Sequence, residues 1–83
     1  MKIVKVDWDD ITSHSGWQDV NDNFLLRISS VGYLVAKNKD VLLISQSLSP
    51  ANDRVAESLM IPMSVVRKLT TIGTVKLKDG KYI

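Results

Sequence analysis

Phe24–Lys37 (FLLRISSVGYLVAK) and Asp40–Leu48 (DVLLISQSL) are two apolar, β-branched runs separated by a short polar junction. Runs of this composition, bounded by turn residues, are typical of β-strands. Asn38-Lys39-Asp40 suits a tight hairpin turn in which Asn or Asp takes the left-handed position. Gly32 inside the first run predicts a bulge or a bend, as strand glycines often do. The stretch therefore predicts an antiparallel hairpin with a bent first strand.

Further β-type runs lie on both sides of this hairpin. Met1–Trp8 is rich in β-branched residues and predicts a first strand. Ile61–Ser64 predicts a turn that leads into a strand over Val65–Ile72. Asp79-Gly80 predicts a last hairpin turn between Thr74–Leu77 and Tyr82–Ile83.

Residues 49–60 allow two interpretations. Ser49-Pro50 followed by apolar residues at near-helical spacing suits a capped helix. Alternatively, Pro50–Asp53 is a loop and Ala56–Ile61 is a strand. We prefer the strand because it completes a closed small barrel. The predicted fold is therefore all-β, a barrel of five to six strands with a long N-terminal loop that carries the tryptophans.

Size and composition limit the class of protein. A chain of 83 residues predicts one domain, residues 1–83, with a thin core. There is no cysteine and only one histidine, so neither a disulfide nor a zinc site is expected to stabilise it. We therefore expect a homo-oligomer. The longest apolar run, Val41–Ile44, is too short for a membrane span, and no signal peptide is visible, which predicts a cytoplasmic protein.

Charge is spread unevenly along the chain. Residues 1–23 carry two lysines and five aspartates, whereas residues 24–83 carry nine basic and four acidic residues. A basic second part suits a phosphate-bearing partner. It is equally typical of the solvated faces and edges of strands.

Asp7–Asn23 is predicted to be a long irregular segment, and it contains both tryptophans, Trp8 and Trp17. Loops of this length in compact domains are usually functional or disordered, and two large aromatic residues argue against disorder. The tryptophans either anchor the loop on the core or line a recognition surface. Both roles are compatible if one indole is buried and the other is exposed.

Catalysis is not expected from this sequence. Ser13 and Ser15 flank His14, but neighbouring side chains diverge too much to form a triad. We interpret the aspartates of the segment as solvated loop carboxylates: Asp7, Asp9, Asp10 and Asp19. No catalytic residue, metal ligand or cofactor is predicted.

With catalysis not expected, ligand recognition is the function that remains to be considered. An indole among hydroxyl and imidazole groups can stack on a base or ribose, arginines can bind phosphate, and amide or hydroxyl groups can contact polar edges. The predicted ligand-binding residues are Trp8, Ser13, His14, Ser15, Trp17, Gln46, Ser47, Arg54, Ser64 and Arg67.

The order of several short motifs resembles a family of small bacteriophage-encoded proteins. The motifs are Trp8-Asp9, Ser13-His14-Ser15-Gly16-Trp17, Ser30–Val35, Gln46-Ser47 and Ile61-Pro62, and the similarity covers about residues 3–72. The resemblance implies a barrel of the SH3-like or Sm-like kind and an accessory role in the host cytoplasm. Small phage proteins of this kind often counter host defence.

Three functions follow as hypotheses. The first is a non-enzymatic sponge that sequesters a cyclic nucleotide immune signal, with a pocket formed by the expected oligomer. The second is a module that binds a host protein or a phage assembly partner. The third, ranked below the others, is a nucleic-acid-binding barrel that uses the basic second part of the chain.

Overall fold

The computed structural model of the protein describes residues 1–11 and 25–77, and this part of the chain is built almost entirely of strands. The five strands are β1 (Lys2–Ile11), β2 (Leu25–Lys37), β3 (Val41–Ser49), β4 (Arg54–Pro62) and β5 (Val66–Thr74). A 3₁₀ helix, Met63–Val65, joins β4 to β5. The all-β prediction is confirmed.

All neighbouring strands are antiparallel, and the sheet has the order β4-β3-β2-β1-β5. The two outermost strands, β4 and β5, are joined only by Met63–Val65, and a link of this length spans at most about 14 Å. The sheet must therefore curl until its two edges approach each other. Among the described strand pairs there is no β4–β5 ladder, so the hydrogen-bonded closure expected for a complete barrel is not seen in this part of the chain.

The core lies inside this curl. Val4 and Val6 of β1 are fully buried together with Leu42 and Ile44 of β3 and Ile61 of β4. The spacing of two in β1 and in β3 is the alternation that a sheet with one covered face requires. Partly buried residues complete the cluster: Trp8, Leu34, Met63, Val65, Val66 and Leu69. The core is small, and residues from both edges of the sheet share it.

The long strand β2 changes its pairing partner along its length. Up to Tyr33 this strand pairs with β1, and from Tyr33 onward it pairs with β3. At Gly32 an added Cβ would lie 2.8 Å from the Ser45 carbonyl oxygen, so the two strands approach too closely there for a side chain. The register shift between β2 and β3 falls between Leu34 and Ala36. This strand thus contains a bulge, as predicted, but it lies between Leu34 and Ala36 rather than at Gly32.

The predicted turn between β2 and β3 is correct in place but wrong in mechanism. Neither Asn38 nor Asp40 has a positive φ. Instead, the Asn38 side-chain oxygen accepts hydrogen bonds from the backbone N–H groups of Asp40 (2.8 Å) and Val41 (2.9 Å). A short side chain that caps its own turn replaces the left-handed residue that was expected.

Other boundaries also differ from the prediction. The first strand does not end at Trp8 but continues to Ile11, so the expected irregular segment begins later than predicted. Residues 54–62 form a strand, which resolves the ambiguity of residues 49–60 in favour of the loop-plus-strand interpretation. The last hairpin at Asp79-Gly80 lies outside the described residues. The described part of the chain holds no helix of the length and apolar character needed to cross a bilayer.

Candidate functional site

Asp9 is a buried carboxylate on the outer face of the sheet, held between two arginines. Its side chain lies on the face opposite to Val4 and Val6, because residues of odd and even number in β1 point to opposite sides. The Nε of Arg27 lies 2.5 Å from Oδ1 of Asp9, and the Nε of Arg67 lies 2.5 Å from Oδ2. Asp9 is only 6% exposed, whereas the arginine side chains are 61% and 51% exposed. We call these three residues the arginine clamp.

Three strands position the clamp. Asp9 of β1 pairs directly with Arg27 of β2, so these two side chains are cross-strand neighbours. Arg67 of β5 lies at a register shift: Asp7 pairs with Lys68, but the next residue of β1, Trp8, pairs with Val66. Arg67 therefore has no direct partner on β1, and this extra residue brings its guanidinium to the second oxygen of Asp9.

The clamp keeps Asp9 ionised. Hydrogen bonds from Arg27 and then from Arg67 lower the pKa of Asp9 below its ordinary value of 3.8, and they outweigh the opposing effect of desolvation. One carboxylate between two guanidinium groups leaves a net charge of +1. Only Nε of each arginine contacts Asp9, and within the described part of the chain the terminal nitrogens of these two half-exposed side chains have no acceptor.

A second row of polar residues extends this outer face. The Ser29 hydroxyl donates a 2.5 Å hydrogen bond to Oδ1 of Asp7, and the Lys5 Nζ lies 3.8 Å from the same oxygen. The hydrogen bond from Ser29 is the main cause of a lowered pKa of Asp7, and Lys5 and Lys68 add to it. The outer face of β2, β1 and β5 thus carries more basic than acidic side chains.

Trp8 lies on the opposite face of β1. Its indole Nε1 donates a 3.0 Å hydrogen bond to Oγ of Ser30, and the half-buried ring packs against the core. A depression of about 180 Å³ beside it is lined by Trp8, Asp9, Asp10, Pro62 and Val65. Trp8 therefore anchors β1 on the core and also lines a concave surface.

The clamp and this depression meet near the end of β1, where Asp9 belongs to both. The last residue of β1 that pairs with β5 is Trp8, whereas pairing with β2 continues to Ile11. Among the described strands, residues 9–11 of β1 therefore pair with β2 only. We call the clamp, the depression and this end of β1 the β1-edge site.

A second depression, of about 330 Å³, lies at the far end of the β3–β4 hairpin. Its lining includes Ser47 and Arg54, two of the predicted ligand-binding residues, and Gln46 is the exposed residue next to Ser47. The backbone nearby is unusual, because Glu57 has a φ of 59°. The Ser45 hydroxyl donates a hydrogen bond to the Ala56 carbonyl oxygen just before Glu57.

The predicted site residues are thus not brought together in one place. Gln46, Ser47 and Arg54 lie at the hairpin end, and Trp8 and Arg67 lie at the β1-edge site. Ser64 is exposed in the 3₁₀ helix, next to the depression-lining Val65. The remaining predicted residues lie outside the described residues: Ser13, His14, Ser15 and Trp17. The segment that holds them is flanked by Ile11 and Leu25, which pair with each other.

The interpretation of the aspartates as solvated loop carboxylates is wrong for the three that the structure describes. Asp7, Asp9 and Asp10 are all in β1, and Asp9 is buried. The strand β1 continues beyond the residues in which apolar and polar side chains alternate. It can do so because Arg27 and Arg67 compensate the charge of Asp9. Asp19 lies outside the described residues.

Arg27 and Asp9 are functional candidates that sequence reasoning missed. A single arginine within the apolar run FLLRISS was a signal that this position faces a charged partner. The partner was not identifiable, because the register of β1 against β2 is needed to place Asp9 opposite Arg27.

Within residues 1–11 and 25–77, no group of three or more histidine, cysteine or acidic side chains is arranged to hold a metal ion. Comparisons with protein-family models, with curated proteins and with solved structures give no match. The site must therefore be interpreted from its own geometry and charge.

Proposed function

We propose that this protein is a non-enzymatic binding protein that captures a phosphate-bearing nucleotide at the β1-edge site. The observation that carries the proposal is the arginine clamp, in which one buried carboxylate holds two half-exposed guanidinium groups side by side. Arginine is well suited to phosphate, because its planar donors match pairs of phosphate oxygens.

The clamp is pre-organised for an anion. Each guanidinium is held through Nε, so little side-chain freedom is lost when its terminal nitrogens bind phosphate. The single negative charge of Asp9 compensates only one of the two arginines. Lys68, which pairs with Asp7 on the same face, adds further positive charge nearby.

The titration of the carboxylate favours binding over catalysis. A general base works best when its pKa lies near the working pH. The arginines lower the pKa of Asp9 further below that range, so its carboxylate is a weak base. Its two oxygens are both engaged by arginine Nε atoms.

A nucleotide fits the β1-edge site better than a bare phosphate does, because the depression beside Trp8 provides an apolar wall of Trp8, Pro62 and Val65. Such a wall can receive a base or ribose while the clamp binds phosphate. The resemblance to phage proteins favours a particular ligand within this class, a cyclic nucleotide immune signal that the protein sequesters.

The proposal is tested by isothermal titration calorimetry with cyclic mononucleotides, cyclic dinucleotides, linear nucleoside diphosphates and pyrophosphate. Arg27→Gln and Arg67→Gln should each weaken nucleotide binding by about tenfold or more, since a hydrogen bond to a charged group contributes about 1.5–3 kcal/mol. Lys39→Gln is the matched control: it removes the same charge from the exposed β2–β3 turn and should bind as the wild type does.

Circular dichroism of each variant separates loss of the site from loss of the fold. Arg27→Lys is a second probe, because it keeps the charge but removes the planar fork. Absence of binding to every nucleotide at high protein concentration would overturn the proposal. Binding to single-stranded DNA or RNA with a steep dependence on salt would identify a nucleic-acid-binding barrel instead.

A different observation favours a second candidate function, association with another protein chain. Large apolar side chains are exposed on both edge strands: Leu59 (40%) and Met60 (61%) on β4, and Ile72 (54%) on β5. Each edge strand also has one side without a neighbour in the described sheet. Exposed apolar residues on such edges are typical of surfaces that pair with another chain. For this function we propose a second copy of the same chain as the partner.

Sedimentation velocity across a range of protein concentrations tests this association. Met60→Lys should shift the population towards monomer, whereas Lys37→Gln, an exposed change at the end of β2, should leave it unaltered. A monomer at all concentrations would exclude self-association, and the edge strands would then be candidates for a host partner.

A further inference from the structure

We propose that the β1-edge site selects guanine over the other bases, through the carboxylate of Asp10. This inference rests on the proposed function, because it names the base of the nucleotide that the arginine clamp would hold. Asp10 lines the same depression as Trp8, and it is the acidic residue there that no arginine engages among the described residues.

The position of Asp10 suits a base edge. In β1 its side chain lies on the same face as Trp8 and on the opposite face to Asp9. Its cross-strand neighbour is Leu26, whose side chain is 56% exposed. A carboxylate therefore lines the depression beside Trp8, with an exposed leucine as its cross-strand neighbour.

The charges of the site also fix the direction of the ligand. The arginine clamp attracts phosphate on one side of β1, and Asp10 repels it on the other side. A nucleotide bound across the end of β1 would therefore place its phosphate on Arg27 and Arg67 and its base beside Asp10.

A carboxylate discriminates between bases by hydrogen bonding. Both oxygens of an ionised carboxylate are acceptors only. Guanine presents two adjacent donors, N1–H and the N2 amino group, and binds such a pair of oxygens in a bidentate manner. Adenine has an acceptor at N1 and offers only one donor on this edge. A bidentate pair of this kind discriminates by about 1–3 kcal/mol, or roughly 5-fold to 150-fold.

The test compares ligands that differ only in the base. The full chain is titrated calorimetrically with GDP, IDP, ADP and pyrophosphate, and with the guanine and adenine forms of a cyclic dinucleotide. GDP should bind about tenfold or more tightly than ADP, and IDP, which lacks the N2 amino group, should lie between them.

Asp10→Asn keeps the shape of the side chain but replaces one acceptor by a donor that opposes the donors of guanine. It should remove the preference for GDP over ADP, whereas pyrophosphate should bind at least as tightly as it does to the wild type, because a repelling negative charge is removed. Asp40→Asn, the same change in the exposed β2–β3 turn, is the matched control and should keep the preference.

The outcomes separate the two proposals. Equal binding of GDP and ADP, weakened by Arg67→Gln, would overturn guanine selection and leave the phosphate-binding function intact. A GDP preference that survives Asp10→Asn would also overturn the role of Asp10. Failure of all ligands, including pyrophosphate, would overturn the proposed function itself.

Discussion

The Nε of Arg67 lies 2.5 Å from Oδ2 of Asp9, and this contact joins two strands whose residues are 58 positions apart in the chain. It links the start of β5 to the end of β1, close to the 3₁₀ helix that connects β4 to β5. The same carboxylate binds Arg27 of β2. One buried side chain therefore connects three strands and orients two arginines towards solvent.

Acid is expected to weaken this connection. The pKa of Asp9 is lowered in the folded protein by the hydrogen bonds from Arg27 and Arg67, so the unfolded chain takes up its proton at a higher pH than the folded one does. The stabilisation is therefore complete well above pH 3.8 and declines as the pH falls through 3.8 towards the lowered pKa. Urea unfolding between pH 7 and pH 2.5 measures this decline.

Asp9→Asn should be less stable than the wild type at pH 7 and should lose less stability on acidification. Asp40→Asn, in an exposed turn, should follow the wild-type pH profile. Identical pH profiles for Asp9→Asn and the wild type would contradict the importance of this ion pair for the fold.

Gly32→Ala should destabilise the sheet. The added Cβ would lie 2.8 Å from the Ser45 carbonyl oxygen and 3.3 Å from the Ile44 Cβ, and backbone atoms cannot rotate away. We expect a loss of about 1–3 kcal/mol in the free energy of unfolding, measured by urea titration. At Gly73 the nearest atom would be 3.6 Å away, which is an ordinary contact, so Gly73→Ala should cost much less. Equal losses at the two glycines would show that the close approach of β2 and β3 is not the cause.

Glu57→Gly should stabilise the protein by about 1 kcal/mol, despite the greater freedom that glycine gives to the unfolded chain. Glu57 has a φ of 59°, a left-handed conformation that costs an ordinary L-residue roughly 1–2 kcal/mol. Glu57→Ala retains the Cβ and should bring no such gain. Thermal unfolding of both variants provides the comparison, and a gain for alanine as large as that for glycine would point to the Glu57 side chain rather than to its backbone.

Trp8→Phe should cost about 1 kcal/mol or more, because it leaves the Ser30 hydroxyl without the 3.0 Å hydrogen bond from Nε1 and reduces the buried ring. A double-mutant cycle with Ser30→Ala isolates the hydrogen bond from the loss of ring packing. The two changes should be less than additive by about 0.5–1.5 kcal/mol. Strict additivity would mean that the hydrogen bond does not contribute to stability.

Much of the fold was predictable because its signals are local. The β2–β3 hairpin follows from two apolar, β-branched runs around Asn38-Lys39-Asp40, and the partner change in β2 follows Gly32. The extension of β1 to Ile11 was not predictable in this way. Its last residues, including Asp9 and Asp10, are too polar to be recognised as a strand unless their neighbours are known.

The candidate site was predictable only in fragments. Trp8 and Arg67 were both expected to contact a ligand, and they do lie on either side of the same end of β1. Gln46, Ser47 and Arg54 belong to another part of the molecule, at the far end of the β3–β4 hairpin. Residue types alone suggested chemistry for each of them, but not which of them share a surface.

By itself, the sequence determined that this chain forms β-strands, where most of them begin and end, and that its core would be small. These properties depend on neighbouring residues, through β-branching, alternation and turn chemistry. Only the tertiary structure decided that Asp9 would be buried and held by Arg27 and Arg67. That arrangement depends on the register of β2 and β5 against β1, and on one extra residue in β5. The pattern of one strand shows which of its residues face the core, but it does not show which residues of a strand distant in the sequence lie opposite them.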